Sequence, residues 1–342
     1  MPAQMHAGIN REAARMHIEI GRPFAGQMLD RLTAFLKMNG LDYDPAVGFT
    51  VMLMEDDEIL ATASLDGNTV KCVAVSPMHQ GEGLTANLMT EIRQEAFSKG
   101  LHHLMLFTKP GNLMMFREFG FHPVMRTESV LLMENRRNGL DEFLKGLDRP
   151  ESAKTVGCIV ANCNPFTLGH RYLIETASKR VDALHVFILS ESKSMFSPED
   201  RMALAKAGCR DIDNVYFHPT GPYLVSSATF PTYFIKDKAK AGDIHCGLDV
   251  RIFGEKFVPA LGITHRFVGT EPNCQVTNAY NEQMKQHLPQ YGVEVVEIPR
   301  REVSGEAVSA SRVRALLAQG DFEGIRPLVP DGTYEFLVKK FR

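Results

Sequence analysis

TVGCIVANCNPFTLGHR, Thr155 to Arg171, is the stretch whose reading decides the fold. It opens with a short apolar run, Val156 to Ala161, of β-strand length and composition. A turn carrying Asn162, Asn164, Pro165 and Gly169 follows. From His170 the pattern becomes helical: Tyr172, Leu173 and Ala177 are spaced for one buried face, and Lys179 and Arg180 close the last turn. A strand that turns sharply into a helix exposes backbone N–H groups at the helix N-terminus, where the helix dipole also favours phosphate. Gly169 permits close approach of the backbone, His170 can place an imidazole over the same anion, and Thr167 adds a hydroxyl.

Outward from this stretch, the pattern alternates strand and helix, the signature of a Rossmann-like parallel sheet covered by helices. Strands are expected at 156–161, 183–189, 214–218, 266–268 and 293–298. Helices are expected near 170–179, 198–207, 232–240, 275–287 and 309–318. Ligands of such sheets bind beyond the C-terminal strand ends, and the Thr167–His170 turn lies at one of them.

Two further loops fall at that edge. Ser197-Pro198-Glu199-Asp200 is a strong helix start, with a cap, a proline at the first position and acids in the first turn. Just before it, Lys193 can bring an ammonium to a triphosphate, and Arg201 either joins it or anchors the loop. Near the end of the chain, Val308-Ser309-Ala310-Ser311-Arg312-Val313-Arg314 reads as a capped helix start. The hydroxyls of Ser309 and Ser311 can face phosphate oxygens, and Arg314 follows one turn later. Each stretch alone also reads as plain structure: a solvated loop lysine, or a capped helix with a basic face.

The N-terminal part reads as mixed α and β. A helix is expected from Pro23 to Met38, with Phe24, Met28, Leu32 and Phe35 on one face. Strands follow at 49–54, 59–65 and 70–75. Val75-Ser-Pro-Met-His-Gln-Gly-Glu-Gly-Leu-Thr85 is a second strand–glycine turn–helix passage, with the helix at 84–99. Its amides suit a pyrophosphate. A strand at 103–108 and a helix within 112–121 complete this part. Charges, Pro and Gly then replace the apolar periodicity. The expected organisation is 1–137, a linker at 138–154, and 155–342.

Composition sets the class. The 342 residues exceed one typical core, so two domains are the default. The formal net charge is −3, which gives no sign of a nucleic-acid or membrane-surface binder. The N-terminus lacks the apolar core of a signal peptide, and no apolar run approaches a membrane span. Six cysteines are scattered with no C-x-x-C pair, read as reduced thiols of a cytoplasmic protein, with a metal site or a disulfide as the alternative.

Thr167-Leu168-Gly169-His170 resembles the T/H-x-G-H motif of the nucleotidylyltransferase superfamily, whose members transfer the AMP of ATP to an acceptor and release pyrophosphate. The segment around Lys193 and Arg201 resembles the K-x-M-F-S/T-x-E-E/D-R stretch of phosphopantetheine adenylyltransferase and relatives. Val308–Arg314 resembles the I/V-S-x-S/T-x-x-R signature of the same superfamily. These resemblances imply ATP binding by Asn164, Thr167, Gly169, His170, Lys193, Arg201, Ser309, Ser311 and Arg314, with His170 and Lys193 catalytic. Three separated loops would then converge on one triphosphate. The N-terminal part resembles GNAT-type N-acetyltransferases, whose Q/R-x-x-G-x-G/A loop holds the pyrophosphate of acetyl-CoA. Gln80, Gly81 and Gly83 correspond to that loop, while Thr85 stands where the family has Gly or Ala.

With this domain order, nearly the whole chain resembles the citrate lyase ligase family. The resemblance implies that ATP and acetate give acetyl-AMP. The acetyl group would then pass to the thiol of a dephospho-CoA-derived group on the acyl carrier subunit of citrate lyase. Gln80, Gly81 and Gly83 are then candidates for binding that CoA-like group. Mg²⁺ is expected on the phosphates rather than in a protein cage, because no carboxylate cluster stands out; Glu271 and Asp249 lie at plausible edges. An adenylyltransferase acting on a phosphopantetheine-like or mononucleotide acceptor is the alternative. So is an acetyl-CoA-dependent acetyltransferase whose second domain senses nucleotide.

Overall fold

The computed structural model describes residues 16–342 apart from 192, 193, 227, 228, 272–274 and 304. The chain divides into two compact units. One comprises the described residues up to Arg137 together with Pro231–Lys238; the other comprises Asn138–Phe230 and Ala239–Arg342.

The first unit contains β1 (Met16–Gly21), α1 (Gly26–Met38), β2 (Phe49–Glu55), β3 (Glu58–Asp66), β4 (Thr69–Val75), α2 (Leu84–Ser98), β5 (Met105–Thr108), α3 (Leu113–Glu118), β6 (His122–Arg126) and β7 (Leu131–Glu134). They build a seven-stranded sheet in the order β1-β2-β3-β4-β5-β7-β6. Neighbours are antiparallel except β4 and β5, which run parallel and pair only at Thr69–Val70 with Met105–Leu106. The two strands therefore part toward their C-terminal ends. The chain leaves β4 there and enters the glycine turn before α2. Leu84, Leu88, Met89, Ile92 and Ala96 of α2 recur at helical spacing. They pack on Phe49, Val51, Leu53, Ala61 and Ala63 of the sheet. Strand β1 was not expected from the sequence, although Met16, Ile18 and Ile20 alternate with polar residues; these three side chains are exposed.

The second unit contains α4 (Gly139–Lys145), β8 (Val156–Ala161), α5 (Leu168–Ser178), β9 (Ala183–Ile188), α6 (Pro198–Gly208), β10 (Val215–Pro219), α7 (Ala241–Ile252), α8 (Val258–Leu261), β11 (His265–Gly269), α9 (Gln275–His287), β12 (Glu294–Ile298), β13 (Glu302–Val303), β14 (Glu306–Ala307), α10 (Ala310–Ala318), α11 (Phe322–Ile325) and α12 (Asp331–Phe341). Its main sheet has the order β10-β9-β8-β11-β12, with every pairing parallel. The order reverses at β8, so the turn after β8 stands at the switch point where such sheets hold ligands. The chain is thus a GNAT-like α+β domain followed by a Rossmann-like parallel-sheet domain, as the sequence predicted.

The helix expected at 232–240 is absent, apart from a single 3₁₀ turn at Lys238–Lys240. Tyr233, Phe234 and Ile235 are consecutive buried residues, which one helix face cannot accommodate. The segment makes a turn in the first unit instead, with the Ile235 N–H donating to the Thr232 carbonyl at 3.0 Å. The Tyr233 hydroxyl donates to the Phe107 carbonyl at 3.2 Å, and the Asp42 N–H donates to the Tyr233 carbonyl at 2.9 Å. The helix comes later, as α7.

Within the second sheet, His185 and His218 are buried and face each other at 2.9 Å between Nδ1 and Nε2. Burial pushes both to about 4, so one neutral ring donates to the other.

Candidate active site

The turn after β8 is built by its neighbours. Cys163 adopts a left-handed φ of 52°, which bends the chain away from the strand. Phe166 is fully buried, and α6 passes so close that a Cβ on Gly208 would lie 2.4 Å from its ring. Thr167 caps α5 in a reciprocal arrangement. Its hydroxyl accepts from the His170 N–H at 3.4 Å, and its own N–H donates to His170 Nδ1 at 3.1 Å. The first-turn amides of Leu168 and Gly169 have no acceptor within the helix, which leaves them for an anion.

This cap fixes the state of His170. Because Nδ1 accepts, the single proton of the neutral ring resides on Nε2. Burial, and then the positive charge of Arg300, lower its pKa to about 4. At neutral pH His170 is therefore an uncharged donor through Nε2.

Ser309 caps α10, accepting from the Arg312 N–H at 3.2 Å. The segment before it lies directly on the first turn: a Cβ on Gly169 would stand 2.8 Å from the Val308 carbonyl oxygen. Arg314 donates to the Asn164 carbonyl and, at 3.1 Å, to the Ser311 hydroxyl. Two motifs far apart in sequence thus share one wall.

That wall borders a cavity of about 1100 Å³. Asn164, Thr167, Gly169, His170, Ser309, Ser311 and Arg314 all line it, so most of the predicted nucleotide ligands are brought together. Arg266, Tyr280, Arg300 and Arg301 line it too. The sequence reading missed these four. The basic pair after β12 stands at a strand end on the ligand edge, and that position could have revealed it. Arg300 forms an ion pair with Glu271, and its Nε donates to the Thr270 carbonyl at 2.8 Å. Among the described residues, no group of three His, Cys, Asp or Glu side chains is placed to hold a metal.

Lys193 lies outside the described residues. Its loop is tied to the first turn, since the Phe196 N–H donates to Asn164 Oδ1 at 3.2 Å. Arg201, expected among the nucleotide ligands, does not line the cavity. It is fully buried, with Nε donating to the Phe196 carbonyl at 3.2 Å and Nη1 to the Asn162 carbonyl at 3.1 Å; Nη2 donates to the Glu191 carbonyl. A guanidinium saturated in this way positions the loop rather than meeting phosphate. Arg201→Met is expected to leave these carbonyls unpaired and to cost on the order of 3 kcal/mol. Thermal unfolding should register this as a Tm lowered by roughly 6–12 °C. An unchanged Tm would contradict the positioning role.

Gln80, Gly81 and Gly83 lie together in the exposed turn before α2. Gly81 (φ 90°) and Gly83 (φ 75°) hold left-handed conformations that side chains resist. Gly83 is the N-cap of α2, which leaves the first-turn amides of that helix open to an anion. The five described cysteines are buried and unbridged.

Comparison with known proteins agrees with both units. Residues 18–121 match the acetyltransferase (GNAT) family. Residues 156–337 match the citrate lyase ligase C-terminal domain. The chain is 40% identical to the citrate (pro-3S)-lyase ligase of Klebsiella pneumoniae over 316 residues, covering 91% of this chain and 92% of that protein. It is also 40% identical to the Escherichia coli (strain K12) protein of that name, over 90% of this chain and 89% of the other. A shorter likeness, 38% over 69 residues, links it to phosphopantetheine adenylyltransferase from Staphylococcus carnosus (strain TM300), covering 20% of this chain and 43% of that one. With a full-length match of this kind and a site assembled from the same motifs, the chain belongs to the citrate lyase ligase family.

Proposed function

We propose that this protein activates citrate lyase by acetylating the thiol of the prosthetic group on its acyl carrier subunit, at the expense of ATP. The carrying observation is the single cavity shared by the Thr167–His170 turn and the Ser309–Arg314 helix start, in a chain of this family. In the first step an acetate oxygen attacks the α-phosphorus of ATP. The bond from that phosphorus to the bridging oxygen breaks, and pyrophosphate leaves. In the second step the thiol sulfur attacks the acetyl carbonyl, the carbonyl–oxygen bond to phosphate breaks, AMP leaves with its electron pair, and the thiol proton passes to water.

Acetate is already ionised at neutral pH, so the first step needs no general base. It needs alignment and neutralisation of developing charge. The Nε2–H of His170, the amides at the start of α5, the hydroxyls of Ser309 and Ser311, and the guanidinium of Arg314 supply fixed donors. Lys193 supplies an ammonium. Mg²⁺ arrives on the phosphates as part of the substrate.

The test is a gain of one acetyl group on the holo acyl carrier, followed by mass spectrometry, with acetate and with or without ATP. ATP-dependent acetylation with release of AMP supports the reading. Transfer of AMP itself to a phosphopantetheine-like acceptor, the activity named for the shorter relative, would replace it.

For the first unit, we assign Gln80, Gly81 and Gly83 to the diphosphate of the CoA-like group. Gly83→Glu puts a carboxylate on a left-handed residue at the anion-binding end of α2. This variant is expected to keep acetate-dependent pyrophosphate exchange with ATP and to lose most transfer to the carrier thiol. Unchanged transfer would leave the first unit a docking platform.

A further inference from the structure

Among the cations that line the cavity but enter no step of the scheme above, Arg266 is the buried one. Arg266, the second residue of β11, is paired in register with Cys158 on β8, three positions before the end of that strand at Ala161. At about 3.3 Å per residue this sets its backbone roughly 10 Å below the end of β8 along the strands. Arg266 is 95% buried and lines the cavity.

Its guanidinium is only partly used. Nη1 donates to Cys158 Sγ at 3.3 Å, and one face lies on the Phe253 ring, 4.9 Å from its centroid. Nε is buried with no hydrogen-bond partner, and Nη2 has none among the described residues. No carboxylate there reaches it at ion-pair distance. Asp249 acts on it only through space, and its own carboxylate is engaged by the Tyr280 hydroxyl.

Of the other arginines near the site, Arg301 also lines the cavity but is exposed, and the rest have partners. Arg201 is saturated by carbonyls, Arg300 is paired with Glu271, and Arg314 braces the first turn. A buried guanidinium cannot shed its charge, and leaving it unpaired is costly. Nε–H and Nη2–H form the side-on edge of the guanidinium, the geometry that takes a carboxylate in two parallel hydrogen bonds.

We propose that Arg266 is the binding residue for the carboxylate of the acetate substrate. This rests on the ATP-and-acetate reading above. A triphosphate engages the rim, where the helix amides and capped serines lie. A small monocarboxylate fits the part of the cavity lined by Arg266 and Tyr280.

The experiment is acetate-dependent pyrophosphate exchange at varied acetate and varied ATP, in wild type, Arg266→Gln and Arg266→Lys. A circular-dichroism melt checks that each variant is folded. In parallel, ¹⁹F line-broadening of fluoroacetate reports binding without turnover. Losing a charge-assisted pair is expected to raise the acetate KM of Arg266→Gln about 10- to 100-fold while the ATP KM stays within about threefold. Fluoroacetate broadening should vanish, and Arg266→Lys should recover part of both. If Arg266→Gln does not fold, the lysine variant alone decides, by a raised or an unchanged acetate KM. An unchanged acetate KM, an effect on ATP KM instead, or broadening that survives the substitution overturns the assignment. Wild-type enzyme that gives no acetate-dependent exchange overturns the ligase reading instead; the fluoroacetate signal then still judges Arg266.

Discussion

Gly169→Ala is expected to fold normally and to lose roughly 100-fold in acetate-dependent pyrophosphate exchange. The added methyl would stand 2.8 Å from the Val308 carbonyl oxygen, a backbone atom that cannot swing aside as a side-chain tip can. Either the start of α5 or the segment before Ser309 must shift by several tenths of an ångström. Both carry donors proposed to meet phosphate, so the shift separates groups that have to act together. The cores of the sheet are untouched, and the melting temperature should fall by only a few degrees. Steady-state exchange set beside a thermal melt separates the two effects. A variant with near-normal exchange would show that the close approach of the two walls is irrelevant to the chemistry.

His170→Ala should be the other large loss, about 10²- to 10³-fold in kcat, the usual cost of removing one fixed donor from a developing anion. The pH dependence sharpens this prediction. A free histidine loses its proton near 6.5; in the folded protein that step is lowered to about 4, because burial and Arg300 both disfavour the cation. His170 therefore stays neutral throughout pH 5.5–8, and exchange should show no step near 6.5 that His170→Ala abolishes. Only as pH falls toward 4 does Nδ1 gain a proton. It then ceases to accept from the Thr167 N–H, and the reciprocal half of the α5 cap is lost. The unfolded chain takes up that proton at higher pH than the folded one, so this residue lowers stability as pH falls from about 6.5 to about 4. A kinetic pKa near 6.5 that disappears in the alanine variant would mean that the ring works as a cation.

The parts of the site legible in sequence were those written in local chemistry. The strand–turn–helix passage at 156–178 and the Ser-Pro-Glu-Asp start of α6 depend on residues within a few positions of one another. In the structure Ser197 accepts from the Asp200 N–H at 3.1 Å, as such a start requires. Ser309 likewise caps its helix. What stayed hidden was set by distant neighbours. Nothing near Tyr233 tells that three consecutive apolar residues will be buried in a unit whose contacting residues, such as Phe107, come more than a hundred positions earlier. For Arg201 the sequence offered both a nucleotide ligand and an anchor for its loop; the partners that make it an anchor, the carbonyls of Asn162, Glu191 and Phe196, are gathered only by the fold. Arg266 was passed over for the opposite reason. A charged residue inside an otherwise apolar buried strand was itself the signal, because a parallel sheet covered by helices gives such a residue no solvent to reach.

The contact between Gly169 and Val308 also bears on how the enzyme comes into being. The ribosome releases the glycine turn on the order of ten seconds before the segment that closes over it. Until then the nascent sheet has no second wall for a nucleotide. A ligand that needs both walls finds no complete site during the early steps of folding, and a clip between β13 and β14 would cut the segment that carries the second wall to its place beside an otherwise intact sheet.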